Sequence, residues 1–398
     1  MGRGLFLNTS AYGHVNPTIP VVSELVRRGE GILYFTAAIH QPALEEAGAS
    51  YQPYPHAAPQ IAVAGDTLAD LAEKLLTTAE RITPTLDAIV EDFKPDYIIH
   101  DSLAPWGKYL AARHKLPAIS SITTFAFAQP RQLAHLGQML RFVRAQPIHP
   151  HRFVQIAQTY DQLLRQYGLP NEGVVDLFQN SEALNIIYTV REFQPQAARF
   201  DNTYHFVGTS IPEQDGHATW LVGRLGTDRL IYVSLGTIMN NAPHFYQLAY
   251  DAFEGTEYQI VMSVGQVVSE DTIAAAPDNF IVCRYVPQLS VLQHASAFIT
   301  HGGMNSVHEA LHFGVPMVVV PRSPEQVFVG RQVIERGAGQ MLSWEQLSVE
   351  GLRHAVDQVI ADPVYAANSR FIGHLLRQAG GYHRAAEEIL TYVEQHRR

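Results

Sequence analysis

Thr300-His301-Gly302-Gly303-Met304-Asn305-Ser306-Val307-His308-Glu309-Ala310-Leu311 follows the apolar run Phe298–Thr300 and opens a segment of helical period. A short β-branched and aromatic run, a glycine pair and then a helix make the strand-to-helix junction of an open parallel sheet. Gly302 and Gly303 let the backbone approach an anion, and the first helical turn offers free N–H groups. Asn305 and Ser306 add donors and His301 can carry a positive charge, which together suit phosphate. The segment holds no lysine, so it is not a Walker loop. Glycine turns before helices are common, and this one alone leaves a phosphate site and a structural turn both open.

Working outward, the same alternation recurs along the chain. Leu5–Leu7, Ile32–Phe35, Tyr97–Ile99, Leu230–Val233, Gln259–Met262, Phe298–Thr300 and Met317–Val320 read as strands separated by segments of helical period. Residues 1 to about 200 carry one set and about 228 to 375 another, with the Gly, Pro and polar-rich stretch Gly208–Gly226 between them. The expected fold class is α/β, two parallel-sheet domains joined by a linker.

Composition excludes several classes. A chain of 398 residues holds two or three domains, and its 46% apolar residues can fill their cores. The net charge of -10, with no basic run, gives no support to nucleic-acid binding. Cys283 stands alone, which removes a disulfide-stapled scaffold. Leu5-Phe6-Leu7 is too short for a signal-peptide core, and no run approaches the roughly 20 apolar residues of a spanning helix. The expectation is a cytoplasmic protein with no membrane span.

The first junction, Asn8-Thr9-Ser10-Ala11-Tyr12-Gly13-His14-Val15-Asn16-Pro17, precedes Ile19, Val22, Leu25 and Val26 at helical spacing. Asn16 is expected to cap that helix, with Pro17 in its first turn and Gly29 just past its end. His14 then lies in a loop at the carboxyl end of the first strand, where open sheets bind ligands. A neighbouring helix N-terminus favours its neutral ring, able to accept a proton. Asp101 follows the strand Tyr97–His100 and lies at the same sheet end, so the two can pair across 87 positions. No Gly-x-Ser-x-Gly elbow exists to complete a hydrolase triad.

His308-Glu309-Ala310-Leu311-His312 also matches a zinc-peptidase pattern, with Glu335 as a distant third ligand. The helix ends at once at Phe313-Gly314-Val315-Pro316, which weighs against that reading. Ser234-Leu235-Gly236-Thr237 and Pro321-Arg322-Ser323-Pro324-Glu325-Gln326 are two further turns at carboxyl strand ends. With the His301 turn they suit a nucleotide sugar. No Asp-x-Asp occurs, so protein donors rather than a held divalent metal are expected to neutralise the diphosphate, with no cofactor.

These residues resemble a known family, the inverting glycosyltransferases of the GT-B fold that include bacterial macrolide and flavonoid glycosyltransferases and plant UDP-glycosyltransferases. The resemblance runs nearly end to end. Its most specific part is Tyr285-Val286-Pro287-Gln288-Leu289, then His301 to Glu309, then Pro321 to Gln326, in the family's order and spacing. Gly13-His14-Val15-Asn16-Pro17 and Asp101-Ser102-Leu103-Ala104-Pro105-Trp106 match its acceptor side.

The resemblance implies two Rossmann-like domains facing a central cleft: an acceptor domain at 1–210, rejoined by a C-terminal helix at about 380–398, a linker at 211–226 and a donor domain at 227–379. It implies that His14 deprotonates the acceptor hydroxyl while Asp101 stabilises the imidazolium. Thr237, His301, Gly303, Asn305 and Ser306 would hold the diphosphate, Glu309 the ribose, and Tyr285, Val286 and Gln288 the nucleoside. Glu325 and Gln326 would bind the sugar hydroxyls, Glu325 where many relatives carry aspartate. Tyr285 replaces a stacking tryptophan of plant relatives and Met304 an aromatic. The implied donor is UDP-glucose or a TDP-sugar, and the implied acceptor an apolar phenolic or macrolide-like molecule, for which Tyr54, Trp106, Phe125, Phe127, Met139 and Phe142 could line a cleft or simply fill the core. A non-enzymatic nucleotide-sugar binder, a lipid-linked transferase lacking its usual Gly-rich first loop, and the zinc peptidase are the other readings.

Overall fold

The computed structural model describes residues 2–55, 67–127, 150–212, 223–224, 229–237, 240–266 and 276–396. The chain divides into two compact units, residues 1–210 with 380–398, and residues 211–379. Most of the stretch expected as a linker lies outside the described residues, as do Met139 and Phe142.

The first unit is a seven-stranded parallel sheet of order β3-β2-β1-β4-β5-β6-β7. Its strands are β1 (Arg3–Leu7), β2 (Gly31–Thr36), β3 (Ser50–Pro53), β4 (Tyr97–Asp101), β5 (Ala118–Ile122), β6 (Leu184–Ile187) and β7 (Tyr204–Phe206). Central strands are buried on both faces, as helix-covered parallel sheets require. Leu5, Leu7, Leu33 and Phe35 pack on one side against the helices Leu68–Phe93 and Pro105–His114, while Phe6, Ile32 and Tyr34 pack on the other. β1 pairs with both β2 and β4, Leu7 standing opposite Phe35 and His100. The strand order reverses at β1, so the loops after β1 and β4 flank the switch point where such sheets bind ligands.

The chain does not enter its first helix as the spacing predicts. A one-turn helix, Tyr12–Val15, precedes the helix Thr18–Arg27. Asn16 is itself helical and makes no side-chain cap, and the second helix is capped by Pro17. His14 therefore sits in the last turn of a short helix, not in an open loop. Gly29 does close this segment, with φ 96°. The final helix, Gly381–His396, belongs to this first unit: Ala385, Ala386, Ile389 and Val393 join Val21, Val22 and Leu25 in one apolar cluster.

The second unit is a six-stranded parallel sheet of order β10-β9-β8-β11-β12-β13. Its strands are β8 (Leu230–Ser234), β9 (Gln259–Ser263), β10 (Phe280–Cys283), β11 (Ala295–Thr300), β12 (Met317–Val319) and β13 (Gly339–Met341). Here the order reverses between β8 and β11, where Ser234 stands opposite Thr300. No helix among the described residues is long and apolar enough to cross a membrane.

Candidate active site

In the first unit His14 and Asp101 meet at the switch point. His14 Nδ1 lies 2.8 Å from Asp101 Oδ2. Asp101 is fully buried, and its other oxygen accepts the Leu103 N–H at 2.8 Å, so the carboxylate has one orientation. Thr123, just past β5, brings its hydroxyl within 3.1 Å of the same His14 nitrogen. With Nδ1 facing these partners, a proton added to the neutral ring would go to Nε2. Thr123 was not legible in the sequence, because only the pairing of β4 with β5 carries it to His14.

Of the described aromatic residues offered for an acceptor cleft, Tyr54, Trp106 and Phe125 are core residues and Phe127 is exposed. Tyr54 donates to the carbonyl of Asn8 at 2.7 Å and accepts from Trp106 Nε1 at 3.1 Å, an internal pairing.

In the second unit three loops meet at the β8/β11 switch point. His301 is clasped between Gly236 and Gly303: a Cβ on Gly236 would stand 2.6 Å from the imidazole and one on Gly303 2.5 Å from it. Gly236 also has φ +77°, a region side chains disfavour. Ring packing thus requires glycine at both positions, and backbone shape requires it at Gly236 as well. Burial pushes the His301 imidazole down to about 4, helped by the nearby charge of Arg322. That corrects the expectation of a cation here: at neutral pH the ring is an uncharged hydrogen-bonding group.

Gly303 caps the helix Met304–Phe313, which carries Asn305, Ser306 and Glu309. Gln288 Nε2 donates to Glu309 Oε2 at 2.5 Å and to Ser306 Oγ at 3.2 Å, and Tyr232 donates to Gln288 Oε1 at 3.3 Å. Gln288 from one sequence motif and Ser306 and Glu309 from another form one hydrogen-bonded group. Tyr285 is 71% exposed, whereas Val286 is buried and has only backbone to offer. Thr237 is exposed beside Gly236. In the turn after β12, Ser323 caps the helix Pro324–Glu335, Glu325 is exposed, and Gln326 Oε1 accepts the Arg322 N–H at 2.8 Å. The Arg322 guanidinium rests on Trp344, 4.5 Å from the ring centre.

The zinc pattern dissolves into packing. His308 is buried and pushed down to about 3 by burial, Glu309 accepts from Gln288, and Glu335 accepts from Gln332 at 2.6 Å. Among the described residues no three His, Cys, Asp or Glu side chains group as metal ligands.

Two parallel-sheet α/β units, each with a polar group at its switch point, fit the architecture of the GT-B glycosyltransferases, and the comparisons with known proteins show that likeness. A family described as UDP-glucoronosyl and UDP-glucosyl transferase matches residues 204–377. The uncharacterized UDP-glucosyltransferase YojK of Bacillus subtilis (strain 168) is 32% identical over 99% of this chain and 98% of its own length. The NDP-glycosyltransferase YjiC of the same organism is 33% identical over 98% of this chain and 97% of its own. Among solved structures, the calicheamicin glycosyltransferase superposes with a TM-score of 0.84 at 29% identity, over 100% of this chain and 99% of that one. The chain belongs to the UDP-glycosyltransferase family, and the protein is a glycosyltransferase.

Proposed function

We propose that the protein transfers glucose from UDP-glucose, with inversion, to a hydroxyl of an apolar phenolic or macrolide-like molecule. The observation that carries the mechanism is the 2.8 Å contact between His14 Nδ1 and Asp101 Oδ2 at a switch point. His14 Nε2 takes the acceptor proton as the acceptor oxygen attacks the anomeric carbon, and UDP leaves from the opposite face, so a single displacement inverts that centre. Asp101 fixes the ring and offsets the imidazolium charge as it forms.

On the donor side, the N–H groups opening the helix Met304–Phe313, with Gly303, Asn305, Ser306, Thr237 and His301, receive the diphosphate. Glu309 and Gln288 exchange their mutual hydrogen bond for the ribose hydroxyls and nucleoside. Tyr285 supplies a stacking face and Glu325 and Gln326 hold the sugar. No metal or cofactor is required in this reading, because neutral donors and a helix terminus meet the charge. An exposed tyrosine ring stacks on thymine as well as on uracil, which makes a TDP-sugar the second reading.

Calorimetric titration of EDTA-treated protein with UDP, UDP-glucose and TDP-glucose tests the donor side. Metal-free binding that favours the uridine ligands is expected, binding only after metal is restored overturns the metal-free site, and preference for TDP-glucose selects the second reading. His14→Ala should abolish transfer while leaving UDP affinity within about threefold. Unchanged turnover would sink the base assignment.

A further inference from the structure

We propose that Asn8 is a positioning residue for His14, its amide gripping the backbone turn that carries the base and so setting the ring against Asp101. The inference rests on the reading of His14 as the base. Asn8 follows β1 and is fully buried. Its own backbone is clamped on both sides: its N–H donates to the Phe35 carbonyl at 3.0 Å, and its carbonyl accepts from Tyr54 at 2.7 Å.

The side-chain bonds then run in one direction. Asn8 Oδ1 accepts the Thr9 N–H at 2.7 Å, which fixes the amide orientation. Nδ2 donates to the His14 carbonyl at 3.1 Å and to the Tyr34 hydroxyl at 2.6 Å. An amide NH2 can only donate, so Tyr34 must pass its own hydrogen to Thr18 Oγ1, 2.7 Å away. Thr18 in turn donates to the Val15 carbonyl at 2.7 Å. Both amide hydrogens are therefore spent, and the carbonyls of His14 and Val15 are tied down from beneath the turn.

The turn needs this support. Tyr12–Val15 is a four-residue helix, too short to stand on its own propensity, and His14 and Val15 are its last two residues, whose carbonyls lie in its final turn. Asn8 is the inner fixture that connects the sheet end to the backbone of the base. Displacing that backbone by a fraction of an ångström moves the imidazole relative to Asp101 Oδ2 and Thr123.

Asn8→Asp keeps the shape and the Thr9 contact but aims an acceptor oxygen at the His14 carbonyl. The expected result is a fall in kcat of about 10- to 100-fold, with donor KM and UDP affinity within about twofold, the scale expected of a small misplacement of a reacting group. Leu86→Ala, a core deletion in the same unit, is measured beside it and should lower the melting temperature while keeping kcat below the melt. Wild-type kcat in Asn8→Asp, or losses that simply track melting temperature in both variants, overturns the proposal. If Asn8→Asp does not fold, Tyr34→Phe, which removes the hydroxyl aligning the amide, should lower kcat about 3- to 10-fold at constant donor KM, and an unchanged kcat overturns it equally. His14→Ala is assayed in parallel: full turnover there rejects the base reading itself, whereas an inactive His14→Ala beside a fully active Asn8→Asp rejects only the role of Asn8.

Discussion

Asp101→Asn is nearly isosteric, yet the surrounding donors leave its amide no good orientation. Asp101 Oδ1 accepts the buried Leu103 N–H, and Oδ2 faces His14 Nδ1. Turning the new NH2 toward Leu103 opposes two donors in a buried place, which costs about 1–3 kcal/mol. The amide therefore presents its NH2 to His14, and Nδ1 must become an acceptor, with the Thr123 hydroxyl 3.1 Å away free to donate to the same nitrogen. The ring hydrogen moves to Nε2, the atom proposed to receive the acceptor's proton. Restoring the reactive tautomer breaks the new hydrogen bond and opposes two buried donors, about 2–4 kcal/mol. The imidazolium also loses its carboxylate, for a total of about 3–5 kcal/mol. At 1.36 kcal/mol per decade, kcat should fall roughly a hundredfold to several-thousandfold. Steady-state transfer from UDP-glucose to a phenolic acceptor reads kcat, and calorimetry with UDP should show unchanged affinity. A loss confined to donor KM, or an Asn variant within threefold of wild type, refutes the tautomer argument.

Gly236→Ala should cost about 2–5 kcal/mol, combining left-handed backbone strain with intrusion on His301, and weaken UDP binding at least tenfold by about that mechanism; calorimetry and thermal melts that match wild type would contradict the clasp. Glu24 is held at about 2 by Arg27, then Arg28 and His383, against an ordinary 4.5. A lowered acid is stabilising above its unfolded value, so the deficit of Glu24→Gln in thermal unfolding should be full at pH 7 and shrink as the pH falls through 4.5 toward 2; an equal deficit at pH 7 and pH 3 counts against it. His301, His308 and His312 are pushed down to about 4, 3 and 4 by burial, so the unfolded chain binds their protons first. Urea midpoints should therefore fall as the pH drops from 6.5 toward 4, with a shallower slope for His308→Gln; parallel slopes would show that His308 takes no part.

What was legible in the sequence followed from hydrophobic runs. All seven β-branched stretches picked out as strands are strands, because buried parallel strands are apolar on both faces. β5, Ala-Ile-Ser-Ser-Ile, escaped because Ser120 and Ser121 interrupt the run; their hydroxyls are satisfied internally by the Gln179 carbonyl and Tyr188. β13 is only three residues long, and β3 is a polar edge strand. The site divides the same way. His14, Asp101 and the His301 turn were readable since each sits at a strand end with a telling residue type. Asn8 was not, as one asparagine after a strand has no pattern until folding brings Tyr34 and Thr18 to it. The fate of Asn16 turned on local geometry: the extra helical turn at Tyr12–Val15 moved the cap to Pro17.

The return of Gly381–His396 to the first unit sets an order for synthesis. Gly381 donates its N–H to the Val207 carbonyl at 2.7 Å, and Ile389 and Val393 fill the cluster containing Val21, Val22 and Leu25. The ribosome delivers that part of the cluster after the whole second sheet. The unit begun first is therefore completed only after the second: until Gly381–His396 emerges, the helix bearing Glu24 has an uncovered apolar stripe. A nascent or prematurely ended chain would present that stripe to chaperones and proteases while its second sheet was already complete.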